Sequence, residues 1–186
     1  MGIASLVCMV AILLLCAVIT YNRLVRLRNH CSEAWSNVDT ELRRRYDLIP
    51  NLVEVVKGYA AHEKGLFEEV TQRRQACMES AGSPGRRAET ENTLVRAVLP
   101  LLARVEDYPE LKADKSFLEL QHELVNTEDR IQAARRFYNG NVRELNNRIQ
   151  MFPSSIVARA MGFAQEDFFE IENLVERALP DVQLQP

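Results

Sequence analysis

The chain opens on an unbroken apolar run. Residues 2–22, GIASLVCMVAILLLCAVITYN, carry no charged side chain, and a hydrocarbon core of ~30 Å is crossed by roughly 20 helical residues. The run predicts a single transmembrane helix. A cleaved signal would want Lys or Arg ahead of the apolar stretch and small residues at a cleavage site, whereas the only positive charge in front here is the amino terminus itself. LLLC, ending at Cys16, also lacks the small residue that a lipid-attachment site places before its cysteine. Arg23, Arg26 and Arg28 follow directly, and cytoplasmic ends of membrane helices are enriched in such residues. A short outer amino terminus and a cytoplasmic body on the inner (cytoplasmic) membrane are therefore expected, with Tyr21 at the headgroup level.

Past the run, Leu24, Leu27, Cys31, Trp35, Val38, Leu42, Tyr46, Ile49, Val53, Val56 and Ala60 recur in steps of three or four. This is the stripe of a helix packed on partners. It keeps phase through RRRYDLIPNL, residues 43–52. A loop would reset the phase, so Pro50, which removes one amide and disfavours helix at Ile49, predicts a bend or short break. Asp47 is placed to cap the second half if the helix breaks. Arg43, Arg44 and Arg45 would offer positive charge to carbonyls freed at the bend. The reading is a kink with a basic collar; the alternative is an anion or partner site built on those residues.

The second half is expected to run from Leu52 to about residue 80, followed by a loop at AGSPGRRA, residues 81–88. A third helix is predicted over residues 89–106, kinked at Pro100, with Leu94, Ala97, Val98, Leu101, Leu102 and Val105 on its apolar face. DYPELKAD then makes a turn, and Ser116 with Glu119 reads as a capping box. Phe117, Leu120, Leu124, Thr127, Ile131, Ala134 and Tyr138, continued after one extra step of four by Val142, Leu145, Ile149 and Phe152, mark the clearest helix. At about 1.5 Å per residue it would span ~54 Å and needs an equally long partner. The fold class expected is all-α: a transmembrane helix and then an elongated antiparallel bundle of three or four long helices. Residues 1–22 form the anchor, 23–163 the bundle and 164–186 an acidic, partly ordered tail. In that tail Phe168, Phe169, Ile171, Leu174 and Val175 either cap the bundle end or dock a partner in a groove.

Composition narrows the function classes. A net charge of -3 gives no basic face for displacing counterions from phosphates, so no nucleic-acid partner is expected. Cys8, Cys16, Cys31 and Cys77 include no CxxC pair and read as small apolar residues.

Three blocks carry a family resemblance: EAWSNVDTELRRRYDLIPNLVEVVKGYAAHE (33–63), YPELKADKSFLELQHELVNTEDRIQAARRFYN (108–139) and RIQMFPSSIVARAMGF (148–163). In this order they resemble the bacterial LemA family. The resemblance implies a single-pass membrane protein with a short outer amino terminus and an inner helical bundle, and it brings no settled reaction, substrate or cofactor. Gly140 is an unexpected weak point, costing about 1 kcal/mol relative to alanine unless it lets another backbone approach.

Catalytic chemistry is not readable. HELVN at His122 and HEKGL at His62 both lack the second histidine of a zinc-protease helix. Glu119 and His122 form one Glu-x-x-His pair, whereas a bundle metal site needs two. No enzyme activity, cofactor or metal is expected. Thr127, Asn141 and Arg148 are read as register-setting polar residues, and Arg130, Arg135 and Arg136 as partners for Glu41, Asp47 or Glu54. The favoured function is a membrane-anchored scaffold or adaptor, bound to the bilayer through residues 3–21, that recruits proteins or self-associates. Its candidate surface comprises Arg43, Arg44, Arg45, Asp47, Phe168 and Phe169. The alternative is a sensor or enzyme using the arginine-rich kink as an anion site.

Overall fold

The computed structural model describes residues 2–60, 62–172 and 174. Among the described residues there are six α-helices and no strand: α1 (Gly2–Tyr59), α2 (Lys64–Glu79), α3 (Pro84–Arg104), α4 (Pro109–Lys112), α5 (Lys115–Gln150) and α6 (Ser154–Ala160), with a 3-10 turn at Val105–Asp107. The protein is all-α. It divides into two compact units, one of residues 1–36 and 137–168, the other of residues 37–136 and 169–186.

In the first unit the apolar start of α1 is exposed, and burial begins at Leu24. From there Leu27, Cys31 and Ala34 of α1 are buried, as are Tyr138, Val142 and Leu145 of α5. Arg23 pairs with Glu144, and the Trp35 ring lies 5.2 Å from that of Tyr138, so α1 and α5 run antiparallel here. Helix α5 stops at Gln150, ahead of Pro153, as expected of a helix approaching a proline. The Ser154 hydroxyl donates to the Arg148 and Met151 carbonyls (2.7 and 2.9 Å), and the Met151 carbonyl also accepts from the Ser155 amide (2.8 Å). The following chain is clamped by Asn146: its amide donates to the Glu166 carbonyl (2.9 Å) and its oxygen accepts from the Glu166 amide (3.0 Å).

The second unit holds parts of α1 and α5 together with α2, α3 and the short α4. The pairs Glu41 with Arg130, Arg45 with Glu128 and Tyr59 with Asp114 set α1 and α5 antiparallel. Asp39 with Arg87 and Arg45 with Glu91 set α3 parallel to α1, while Cys77 meeting the Thr90 carbonyl runs α2 against α3. Arg130 thus finds Glu41, as its position on α5 led us to expect, whereas Arg135 donates to the Ile171 carbonyl. Thr127 is buried; Asn141 and Arg148 are half-buried.

Several local expectations are corrected. Pro50 does not interrupt α1. It withholds an amide from the Tyr46 carbonyl, and Arg74 on α2 supplies the missing donor, its Nε lying 2.6 Å away. Asp47 is therefore mid-helix and caps nothing. Helix α1 ends instead at Tyr59 and α2 begins at Lys64, with the Glu63 amide bonding the Ala60 carbonyl (3.1 Å), so the expected helix to residue 80 is split in two. Gly58 and Gly65 flank that break with low helix propensity. Helix α3 starts five residues before the expected position 89, at Pro84 with Ser83 as cap, and runs through Pro100. The start of α5 is capped by Asp114, not Ser116: the Asp114 carboxylate accepts from the Phe117 amide at 3.0 Å. Gly140 permits no close approach, since a Cβ there would meet nothing within 4 Å.

Because Arg74 alone is seen to satisfy the Tyr46 carbonyl, Arg74→Met should lower stability by ~1–3 kcal/mol, the cost of stranding a buried acceptor. Urea unfolding of the full chain in detergent, followed by circular dichroism, measures it; a change within a few tenths of a kcal/mol would mean that the carbonyl needs no donor.

Candidate functional site

The charged stretch around Arg45 is where sequence reasoning placed a site, and the helix separates its members. Leu42, Arg45, Tyr46 and Ile49 share the buried stripe, while Arg43, Arg44 and Asp47 face outward. Arg43 bonds Asp39 one turn back at 2.8 Å. The three arginines do not converge.

Arg45 is only 2% exposed, and two carboxylates that are fully buried meet it. Its Nη1 donates to Glu128 Oε1 on α5 at 3.0 Å. Its Nη2 donates to Glu91 Oε2 on α3, whose other oxygen accepts from the Tyr46 hydroxyl. The void beside Arg45, lined by Ile49, Leu94, Val98 and Leu124, is about 10 Å³, at or below what one water needs. No anion enters such a space. Arg45 is thus not on an interaction surface, which corrects its place among the candidates.

The electrostatics follow from burial and proximity. Burial pulls the Arg45 pKa down, but Glu128 and Glu91 more than offset it, and the net shift is upward. Burial, then Glu91, pushes the Tyr46 hydroxyl up. Cys77 is pushed up to about 12 by burial and then by Glu91. At the rim Arg87 pairs with Asp39. Asp39 lies below the usual carboxylate range although burial opposes it, because Arg43 and Arg87 bond and attract its charged form.

One cation between two carboxylates is a device for register. Burying an ion pair contributes little net stability, yet stripping one partner leaves a charge in low dielectric at a cost of ~3–5 kcal/mol. Arg45, Glu91 and Glu128 come from three helices, so a slip of any one helix breaks the set.

The tail residues also separate. Phe168 is partly exposed, whereas Phe169, Ile171 and Leu174 are buried. Phe169 is accordingly no surface residue. In the second unit the extended chain is held by Asn92, whose amide donates to the Glu170 carbonyl (3.3 Å) and whose oxygen accepts from the Glu172 amide (2.7 Å). Arg96 adds an ion pair to Glu172 at 2.8 Å. Of the apolar side chains read as capping the bundle or anchoring a partner, Phe169, Ile171 and Leu174 fill this protein's own core. Val175 lies outside the described residues.

Glu91 and Glu128 were missed by sequence reasoning, although a signal existed. Glu91 lies three positions before Leu94, and Glu128 four after Leu124 and three before Ile131. Each carboxylate therefore interrupts an apolar stripe, as Arg45 does between Leu42 and Ile49. An open groove of about 850 Å³ between α1 and α2, lined among others by Val53, Lys57, Phe67, Thr71 and Gln75, was not anticipated either.

The chain matches the model of the LemA family over residues 34–184. It is similar to magnetosome protein MamQ of Magnetospirillum gryphiswaldense, 25% identical over 199 residues that cover 90% of this chain and 73% of the relative. Magnetosome protein MamQ 2 of Paramagnetospirillum magneticum is 25% identical over 195 residues, 91% of this chain and 70% of its own. Protein LemA of Metamycoplasma hominis is 25% identical over 153 residues, covering 82% and 70% respectively.

If the trio sets register, Arg45→Ala or Glu128→Ala should each lose ~3–5 kcal/mol, while the triple change Arg45→Met, Glu91→Leu, Glu128→Leu should be near neutral or stabilising. Urea midpoints of the three variants decide it; mild single losses with a severe triple loss would contradict the reading. Cys77 and Tyr46 are acids whose folded pKa lies above the unfolded value, so their contribution is whole below the ordinary thiol value of 9.0 and is lost as pH climbs toward 12. The melting temperature should hold to about pH 8.5 and then fall through the alkaline range, less steeply in Cys77→Ala.

Proposed function

The chain belongs to the LemA family, matched over residues 34–184, and from that premise we propose that it is a membrane-anchored helical scaffold without catalytic activity. One observation carries the reading. The first turns of α1 carry a stretch long and apolar enough to cross a membrane, none of it covered by the rest of the protein, and the same unbroken helix goes on to supply buried core positions. Such a helix is an anchor and a structural member at once. With Arg23, Arg26 and Arg28 at its exit, the orientation we propose is single-pass in the inner membrane, amino terminus outside and helical body cytoplasmic.

The groove between α1 and α2 is the surface that we propose receives protein partners or a second copy. Its mixed lining of Val53 and Phe67 with Lys57, Thr71 and Gln75 fits a polar-rimmed apolar contact. The anion-sensor reading has less support, because Arg45 already holds two carboxylates and Arg43 a third.

Photocrosslinking in intact membranes tests the proposal, with benzoylphenylalanine placed at Thr71 or Gln75 in the groove and at Arg44 outside it. Discrete protein adducts from the two groove positions, absent from position 44, are the expected result. Equal or no adducts from all three positions would remove the groove from the account.

A further inference from the structure

The corner between α5 and α6 exposes large apolar side chains where a water-facing surface would not. Met151 is 55% exposed, Phe152 79%, Ile156 63% and Met161 61%. Helix α6 buries its small residues, Ser154 and Ala158, and turns the large ones outward. This reverses the usual order, in which a surface helix of a soluble protein hides its apolar face.

What lies against this surface follows from where α1 holds it. Ile19, Thr20 and Arg23 of α1 line a cavity of about 190 Å³ together with Met151, Phe152 and Pro153. At the other end of α6 the Phe163 ring meets the Tyr21 ring edge-on at 5.9 Å, and the Arg28 guanidinium lies 5.2 Å from the Phe163 centroid. Both ends of α6 are thus tied to α1 within residues 19–28. Ile19, Thr20 and Tyr21 form the last turn of the uncharged run, and Arg23 is the first charge after it. The corner therefore sits at the level where α1 leaves the bilayer.

We propose that Met151, Phe152, Ile156 and Met161 form a second membrane contact, inserted at the headgroup–acyl boundary of the bilayer that α1 crosses. The proposal rests on α1 being a transmembrane anchor, and it adds a lipid-binding surface more than a hundred residues away in sequence. A lipid surface is the fitting occupant because the patch is continuous with the bilayer-spanning face of α1 and needs no other molecule to be brought to it. Interfacial helices bury their apolar face ~5–10 Å into that boundary. Arg148 lines the same cavity and Arg159 lies exposed on α6; long basic side chains lay their stems on apolar surface and reach lipid phosphates with their heads.

The test is tryptophan quenching of the full chain in phosphatidylcholine vesicles that carry doxyl-labelled lipid, with the label either near the headgroup or deep in the acyl chain. Native Trp35, half-buried against Tyr138, lies about 20 Å of helix past Asn22 and sets the baseline for a ring outside the bilayer. Phe152→Trp and Ile156→Trp read the patch at two independent exposed sites, and Leu13→Trp reads the span; circular dichroism checks that each retains wild-type helicity. The expected result is a roughly two-fold loss of the added emission at 152 and 156 with the shallow label, as for a ring at the interface, and loss at 13 with the deep label. Quenching at 13 but none above baseline at 152 and 156 would overturn the lipid contact alone. Blue-shifted yet unquenched emission at 152 or 156 would overturn it in favour of a protein neighbour. Absence of quenching at all three positions would overturn the anchor and the contact together.

Discussion

Everything in this protein is arranged around apolar surface that the protein does not cover. From Ile3 to Val18 the large apolar side chains of α1 are exposed, and a helix of that length and composition is compatible with finding its partner atoms in lipid. The bilayer also suits the backbone, since a helix satisfies its own amides and carbonyls where water is absent. The same helix continues without interruption, and its continuation carries the buried positions from Leu24 to Val56 on one side.

Apolar burial alone leaves a bundle free to slip, because one heptad resembles the next. Here polar groups remove that freedom at few places. The Arg45 guanidinium finds its two carboxylates only when Glu91 and Glu128 arrive from two other helices. In each unit one asparagine, Asn146 or Asn92, holds extended chain through both its amide and its oxygen. These contacts add little stability by themselves, and their misalignment is expensive. That asymmetry suits them to specificity, and it fits the internal position of Arg45, the one buried member of the charged stretch.

Legibility in the sequence followed the physics. Helix α5 was plain because its apolar positions recur in steps of three and four over 36 residues without a proline, and the apolar run was plain by length alone. Phase continuity through Pro50 was a true sign of an unbroken helix, although the donor that replaces its amide, Arg74, is distant in sequence. The break between α1 and α2 was hidden because Val56 and Ala60 pass to Phe67 and Val70 at helical spacing, so the period never falters across it. Arg45 was singled out with its neighbours, but one glance at phase separates it from Arg43 and Arg44. Its partners Glu91 and Glu128 escaped notice because pairing across three helices has no signature along the chain. The path of residues 163–172, which lack helix, depends on Asn92, Asn146 and Arg135 reaching backbone atoms, and that is not a sequence-local property.

The most direct measurement uses the cysteines already in the apolar run. Cys8 and Cys16 are uncovered by protein, whereas Cys31 and Cys77 are buried; in water the first two would react readily with a charged maleimide. Each lies about 9 Å of helix inside the nearer end of the run, a depth at which a charged reagent does not dissolve. In sheared membranes open to reagent from both faces, the account predicts no labelling of Cys8 or Cys16, and labelling of all four thiols after solubilisation in dodecyl sulfate. Prompt labelling of Cys8 and Cys16 in the intact membranes would contradict it, since the surface on which the rest of the structure depends would then be facing water.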